Sequence, residues 1–462
     1  MKKTFLLFVF VLFFTPFFGQ EIIGSWAGEL AIQGTKLPII FNIKSIETGL
    51  TTTLDSPSQG AKDIPIANTT FEKNELFLDA SNIKIQFKGT LVNDKIDGTF
   101  SQGDMNLPLV LSRKKDGETK LNRPQTPKAP FDYEMEEITF VNPIDLNTLA
   151  GTLTTPKNKK NIPVVVLITG SGQQNRDEEI FGHKPFWVIA DDFAKKGIAV
   201  LRLDDRGIGG SDKGNNTTPT SQNFATDINA AVNFLALKGY KNIGLAGHSE
   251  GGMIAPMVAS QNNKVKFVIS LAGPGIPIEE LLQLQSKAIA KLDGASDADL
   301  KMNEELNRKL YAVAKNGTTT KNIKLEIKAI LSEDLKKIPK EQLPPESEIK
   351  KMLENEAKQI SNPWFVYFLK FNPDVYWSKV KIPVLALNGS LDAQVTSKEN
   401  LAGIKSSLEK AKNKSFEVVE FPNLNHLFQE AKIGSVAEYG EIEQTFSPAV
   451  LDKMSSWILK LK

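Results

Sequence analysis

Short runs of the chain are apolar almost without interruption: VVVLI at 164–168, IAVL at 198–201, IGLA at 243–246, VISL at 268–271 and VLAL at 384–387. A strand that is apolar on both faces belongs inside a parallel sheet covered by helices on either side. Helical patterns fall between the runs, at 224–237 and 252–260. The expectation is an α/β domain with a mostly parallel, doubly wound sheet. From about 275 to 372 the rhythm stops, and the chain becomes helical, charged and poor in strand pattern. Within it Ile323, Ile327, Ile330 and Leu331 fall on one helix face. An insertion there, at about 276–372, is expected to form a helical cap over the C-terminal edge of the sheet.

Ahead of this domain the period changes from continuous to two. Ile39, Phe41 and Ile43 alternate with Ile40, Asn42 and Lys44, and Ile83, Ile85 and Phe87 alternate with Lys84, Gln86 and Lys88. Each pattern marks a strand with one buried face. Asn93-Asp94, Asp97-Gly98 and Gly103-Asp104 read as turns. Residues 21–113 should therefore be a small all-β barrel or sandwich. The opening Gly24-Ser25-Trp26 resembles the start of lipocalin-like barrels. Residues 114–130, rich in charge and proline, read as a solvated linker before a second domain at 131–462.

Residues 1–20 carry two lysines, an apolar run from Phe5 to Phe14, a break at Pro16 and a small or polar end at Gly19 and Gln20. That order is a secretory signal peptide rather than an anchor, because the run is short and proline closes it. The protein is expected to be exported, to the periplasm or beyond the cell, with no stable membrane insertion. With 56 Lys+Arg against 54 Asp+Glu, no global charge draws the chain to nucleic acid. The lack of cysteine rules out disulfides, thiolate metal sites and a cysteine nucleophile. Only His183, His248 and His426 are available to any chemistry that needs imidazole.

Gly247-His248-Ser249-Glu250-Gly251 is a G-x-S-x-G motif, placed after an apolar strand and before a helix. A serine on such a sharp turn is held above the sheet, with the helix N-terminus beneath it. Serine attacks carbonyls only when a base removes its proton, and the base needs a carboxylate to fix its tautomer. With the order Ser, acid, His, the base is His426, the only histidine downstream of Ser249. The acid is Asp392, in the turn after the penultimate strand; Glu399, farther into the next helix, is the poorer choice. His248 is expected to pack or hydrogen-bond, and His183 is out of order. Oxyanion donors are expected from the Glu250 N–H and from the loop Gly170-Ser171-Gly172-Gln173, with Gln173 preferred over Gly172. Trp364, Phe365, Phe368 and Phe371 are candidates for an acyl pocket, Phe365 and Phe368 first among them, although apolar residues at such spacing are more often helix core.

Beyond these residues the chain from 131 to 462 resembles the α/β-hydrolase superfamily, and within it exported serine aminopeptidase-like and dienelactone-hydrolase-like esterases. The resemblance rests on Gly247-His248-Ser249-Glu250-Gly251, on Asp205-Arg206-Gly207-Ile208-Gly209-Gly210-Ser211, on Asn388-Gly389-Ser390-Leu391-Asp392 and on His426. Gly170-Ser171-Gly172 followed by Arg176-Asp177-Glu178 is similar to carboxylesterases of this branch. The resemblance implies an α/β-hydrolase fold, hydrolysis of small or medium acyl esters through Ser249, His426 and Asp392, and a structural Asp-Arg-Gly turn. No metal or cofactor is expected. Two other readings stay open. One is a serine peptidase taking short peptides, with Glu279, Glu280, Glu346 or Glu348 meeting a free amino terminus. The other is a binding protein with ligand in the β barrel.

Overall fold

In the computed structural model, the described residues are 22–461, apart from 33–34, 47–48, 57–60, 82–83, 103–104, 115–121, 160, 340–342 and 344. The expected signal peptide, Ile83, the expected Gly103-Asp104 turn and most of the first half of the expected linker lie outside them. The chain divides into two compact units, residues 1–121 and 122–462.

The first unit contains β1 (Gly24–Ile32), β2 (Thr35–Ile46), β3 (Gly49–Ser56), β4 (Ala61–Ile66), β5 (Asn68–Glu72), β6 (Glu75–Ala80), β7 (Ile85–Val92), β8 (Lys95–Gln102) and β9 (Met105–Arg113). They form one antiparallel sheet in the order β4-β3-β2-β1-β9-β8-β7-β6-β5. The sheet curls until its ends meet: Thr69 on β5 donates to the Thr52 hydroxyl on β3 at 3.0 Å. Of the two expected architectures this is the barrel. Trp26, Phe41 and Phe87 are fully buried within it, with Leu30, Leu76 and Leu111 around them. An interior filled with side chains gives no support to the reading of a ligand-holding barrel. One expected turn is corrected. Asp97-Gly98 lies inside β8, where Gly98 pairs with Gly89. The Phe87 ring covers both glycines, and a methyl group at Gly98 would stand 2.4 Å from the Lys88 carbonyl oxygen. Glycine is here for close approach and not for a turn.

The linker expectation also needs correction from Arg123 onward. Arg123 donates to the carbonyls of Phe181, Gly440 and Ile442 at 2.8–3.2 Å, and Gln125 accepts from Thr445 and Phe446. The guanidinium fork ties this segment to its own unit instead of leaving it solvated.

The second unit opens with β10 (Tyr133–Val141) and β11 (Thr148–Pro156), an antiparallel pair that hydropathy alone did not show. Then come β12 (Val164–Ile168), α1 (Pro185–Lys196), β13 (Ala199–Leu203), α2 (Ser221–Leu237), β14 (Ile243–His248), α3 (Glu250–Ala259) and β15 (Val265–Leu271). Helices α4 (Ile278–Leu292), α5 (Asp297–Asn316), α6 (Thr320–Leu335), α7 (Glu346–Ile360), α8 (Pro363–Leu369) and α9 (Asp374–Trp377) follow. The chain ends with β16 (Val384–Gly389), α10 (Ser397–Lys410), β17 (Phe416–Phe421) and α11 (Pro448–Lys460). The sheet order is β10-β11-β13-β12-β14-β15-β16-β17, parallel from β13 to β17. Two hydrophobic clusters, one on each face, cover the strands.

Strand order reverses at β12, whose neighbours are β13 and β14. In such sheets ligands bind beyond the carboxyl ends of the strands at the reversal. The register sets Ile168 opposite Gly247, so the loops leaving β12 and β14 start side by side. Helices α4–α8 are inserted between β15 and β16. They bury a small core of their own, with Ile323 and Ile327 inside it and Ile330 and Leu331 against it, as their spacing required.

Candidate active site

Two close contacts force the chain into its turn after β14. A methyl group at Gly247 would lie 2.0 Å from the Gly251 carbonyl oxygen, and one at Gly251 would lie 2.1 Å from that of Ile168. Between them Ser249 takes φ 52° and ψ −118°, a left-handed conformation that side chains rarely adopt. Its N–H donates to the Leu271 carbonyl of β15 at 2.8 Å. Ser249 lines a cavity of about 330 Å³ together with Gly170, Ser171, Glu178, His248, Glu250 and His426. Glu250 opens α3, so its N–H has no partner within the helix.

Asp392 and His426 are brought together by the turns after β16 and β17. A methyl group at Gly389 would stand 2.2 Å from the Leu424 carbonyl oxygen, and Leu391 donates its N–H to that oxygen at 2.9 Å. The two turns therefore form one unit. Asp392 Oδ2 accepts from His426 Nδ1 at 2.8 Å, and Oδ1 accepts the N–H groups of Gln394 and Val395, each at 2.8 Å. With Nδ1 committed, Nε2 is the nitrogen left to meet a hydroxyl. Asn425 braces the imidazole from behind by accepting the N–H groups of Leu427 and Gln429.

His248, expected to pack or hydrogen-bond, does so, and it connects the two halves of the site. His248 Nδ1 lies 2.9 Å from Glu178 Oε1, and Nε2 lies 3.0 Å from the His426 carbonyl oxygen. The His426 carbonyl can only accept, so Nε2 carries a proton, and an ionised Glu178 calls for a second proton on Nδ1. Burial, the largest influence, works against a charged ring, but Glu178, the hydrogen bond to the His426 carbonyl and the charge of Asp392 together raise the imidazole's pKa. Glu178 Oε1 also accepts the Gly170 N–H at 2.7 Å. One ion pair thus ties the loop after β12, the serine turn and the histidine loop. The adjacency of His248 to Ser249 and the Arg176-Asp177-Glu178 stretch were the available signals. Arg176 and Asp177 anchor the same loop, through Asp204 at 2.7 Å and through Arg202.

The loop expected to supply the second oxyanion donor divides between two cavities. Gln173 does not line the serine cavity; its side chain donates to the Arg206 carbonyl at 2.7 Å, and it lines a separate cavity with Gly172. The loop reaches Ser249 earlier, at Gly170, where an added methyl group would lie 3.3 Å from the serine Cβ. The Gly170 N–H is taken by Glu178, and Ser171, next along the loop, lines the serine cavity. Trp364, Phe365 and Phe368 line the serine cavity, joined by Leu281, Leu282 and Gln285 of α4. Phe371 does not; it stacks on Tyr376 at 5.2 Å. Of the acidic cap candidates, Glu279 and Glu280 line a different cavity, and Glu346 and Glu348 are absent from the wall around Ser249.

His183 is buried against Thr445 and the Tyr439 carbonyl. Burial, aided by the charge of Arg123, pushes its pKa down to about 4, leaving it neutral. In the Asp-Arg-Gly turn, Arg206 pairs with Asp145 and Asp227 at 2.8 and 2.7 Å, a structural arrangement. Asp205 keeps part of its surface open but is closely surrounded, and burial pushes its pKa up to about 8 against hydrogen bonds from Gln174 and Thr169. Glu250 is buried, which raises its pKa despite the Ser221 and Trp364 donors. Among the described residues no group of three or more His, Asp or Glu is placed to hold a metal ion, and no helix is long and apolar enough to cross a membrane.

The reversal at β12, the strained serine and the late histidine are features of one family. The chain belongs to the α/β hydrolase fold family, whose pattern it matches over residues 163–432. It is similar to esterase EstD of Thermotoga maritima, 28% identical over 337 residues, which covers 72% of this chain and 69% of that protein. Among solved structures it is similar to the Pyrococcus furiosus esterase Pf2001, with a TM-score of 0.42 and 15% identity over 75% of this chain and 97% of the other. The hypothetical protein PA2218 of Pseudomonas aeruginosa gives a TM-score of 0.42 and 15% identity, over 75% and 99% of the two chains.

Proposed function

We propose that the protein is a serine carboxylesterase for small or medium acyl groups. The observation that carries this reading is the convergence of strained Ser249 and the Asp392-bound imidazole of His426 on one cavity with an apolar cap wall. Ser249 Oγ attacks the ester carbonyl while His426 Nε2 accepts its proton, and Asp392 fixes the tautomer and balances the imidazolium. The N–H groups of Glu250 and Ser171 receive the developing oxyanion. His426 then protonates the leaving alcohol, and water, deprotonated by the same imidazole, releases the acid from Ser249. Leu281, Leu282, Phe365 and Phe368 shelter the acyl chain. The likeness to an esterase agrees with this assignment. The export expected from residues 1–20 would place the substrate outside the cytoplasm, which N-terminal sequencing of the secreted protein tests.

The peptidase alternative needs a carboxylate to meet an amino terminus, and the cap wall offers leucine, phenylalanine and tryptophan instead. Turnover of p-nitrophenyl acetate and butyrate, set beside aminoacyl-p-nitroanilides, separates the two. Esters should be favoured, fluorophosphonate should label the wild type, and Ser249→Ala should lose about 10⁴-fold or more in kcat with the fold intact. A preference for anilides, or turnover surviving in Ser249→Ala, would refute the assignment.

A further inference from the structure

A second cavity, of about 520 Å³, borders the first. Gly172 and Gln173 line it, while Gly170, Ser171 and Gln174 of the same loop line the serine cavity; Trp364 lines both. Its other walls come from the loop between β13 and α2 and from cap helices α6, α7 and α8. Arg206, Lys213, Lys324 and Lys358 face it, and no aspartate or glutamate does. Arg206 is balanced by Asp145 and Asp227, and Lys324 by Glu354. Among the described residues Lys213 and Lys358, both exposed, have no carboxylate partner. Their positive charge is therefore available to an anion.

We propose that this cavity is a subsite for an anionic group, carboxylate or phosphate, carried by the ester substrate away from the scissile bond. The assignment rests on the esterase reading and names its substrate class. Position argues for substrate over a free ion. The two cavities share the loop beside Ser249, and the Trp364 ring common to both is fixed by its Nε1–H donating to Glu250 Oε1 at 3.0 Å. A substrate reaching past that ring would place an apolar acyl chain against α4 and α8 and its charge between Lys213 and Lys358.

The test compares methyl 4-acetoxybenzoate with 4-acetoxybenzoate and 4-acetoxyphenyl phosphate, and phenyl butyrate with phenyl hemiglutarate. Enzymes are the wild type and a Lys213→Ala, Lys358→Ala double variant. The variant should keep kcat/KM for the neutral esters within about twofold and lose about five- to tenfold on an anionic ester, through KM. Added salt should erase the wild-type preference and leave the variant unmoved. Equal losses on neutral and anionic esters, or no loss on either, would overturn the proposal. So would inhibition of the neutral esters by inorganic phosphate that disappears in the variant without any preference among esters, since that marks a site for free anion. A wild type inert toward the neutral esters would instead refute the esterase reading itself.

Discussion

Beneath the serine cavity, a methyl group added at Gly247 or Gly251 would stand 2.0 or 2.1 Å from a backbone oxygen; in the cap, Gly294, between α4 and α5, has nothing within 4 Å of such a group. The contrast extends to the polar groups. In the floor, Asp392, Glu178 and His248 each meet two or more named partners. The cap side of the cavity is held by Leu281, Leu282, Phe365 and Phe368, while Glu279 and Glu354 pair with lysines elsewhere on the cap. The floor is specified by residues that permit no substitute. The cap is specified mainly by period and apolarity, although Gly317 between α5 and α6 is also confined, an added methyl group there standing 2.2 Å from the Ile323 side chain.

The sharpest way to break this contrast is to add the methyl groups. Gly251→Ala should cost about 3 kcal/mol or more in urea unfolding, because the Ile168 carbonyl cannot retreat without moving β12. Gly294→Ala should cost about 1 kcal/mol, the strain of its φ of +85° alone. Similar losses at the two positions would erase the distinction. Next in size is Glu178→Gln. The amide still accepts the Gly170 N–H but cannot balance a charged His248, so kcat should fall about 30- to 100-fold with KM little changed. An unchanged kcat would show that the ion pair does not position His426.

The floor was legible in the sequence where residue type is restrictive. G-x-S-x-G, Asp392 and His426 stand where strand order requires them, because buried parallel strands and close-approach glycines leave strong marks. What stayed hidden depended on contacts across the fold. Nothing in Gly170-Ser171-Gly172-Gln173 tells that Glu178 claims the Gly170 N–H or that the Gln173 side chain turns to the Arg206 carbonyl. Strands β10 and β11 were missed because they lie at one end of the sheet, where β10 is mostly exposed and lacks a continuous apolar run. In the barrel, Gly98 read as a turn because its reason for being glycine, the Phe87 ring, lies on another strand. The cap's helices were visible from their spacing, and Phe365 and Phe368, the aromatics chosen for a pocket, line the serine cavity, whereas Phe371 stacks on Tyr376.

Two smaller effects sharpen the comparison. Phe368→Ala should lower kcat/KM about tenfold for a butyrate ester and less for an acetate, read from initial rates on the two, because only the longer chain reaches the cap. Equal losses would remove Phe368 from the acyl pocket. The Asp205 carboxyl, with its folded pKa near 8 against an ordinary value near 3.8, binds a proton in the folded state that the unfolded chain has released. Its contribution therefore declines as pH rises from about 4 to 8 and is level beyond. Asp205→Asn should flatten that decline in thermal unfolding measured across this range; a parallel decline in the variant would assign it to other groups.

Helices α4–α8 enter and leave the sheet between β15 and β16, which are hydrogen-bonded neighbours with Val268 opposite Val384. The whole canopy is thus a detachable cassette spliced into one seam. Exchanging it for another helical insertion of similar footprint would change the wall around the serine cavity, while the Asp392–His426 pair and the buried strands beneath kept their geometry.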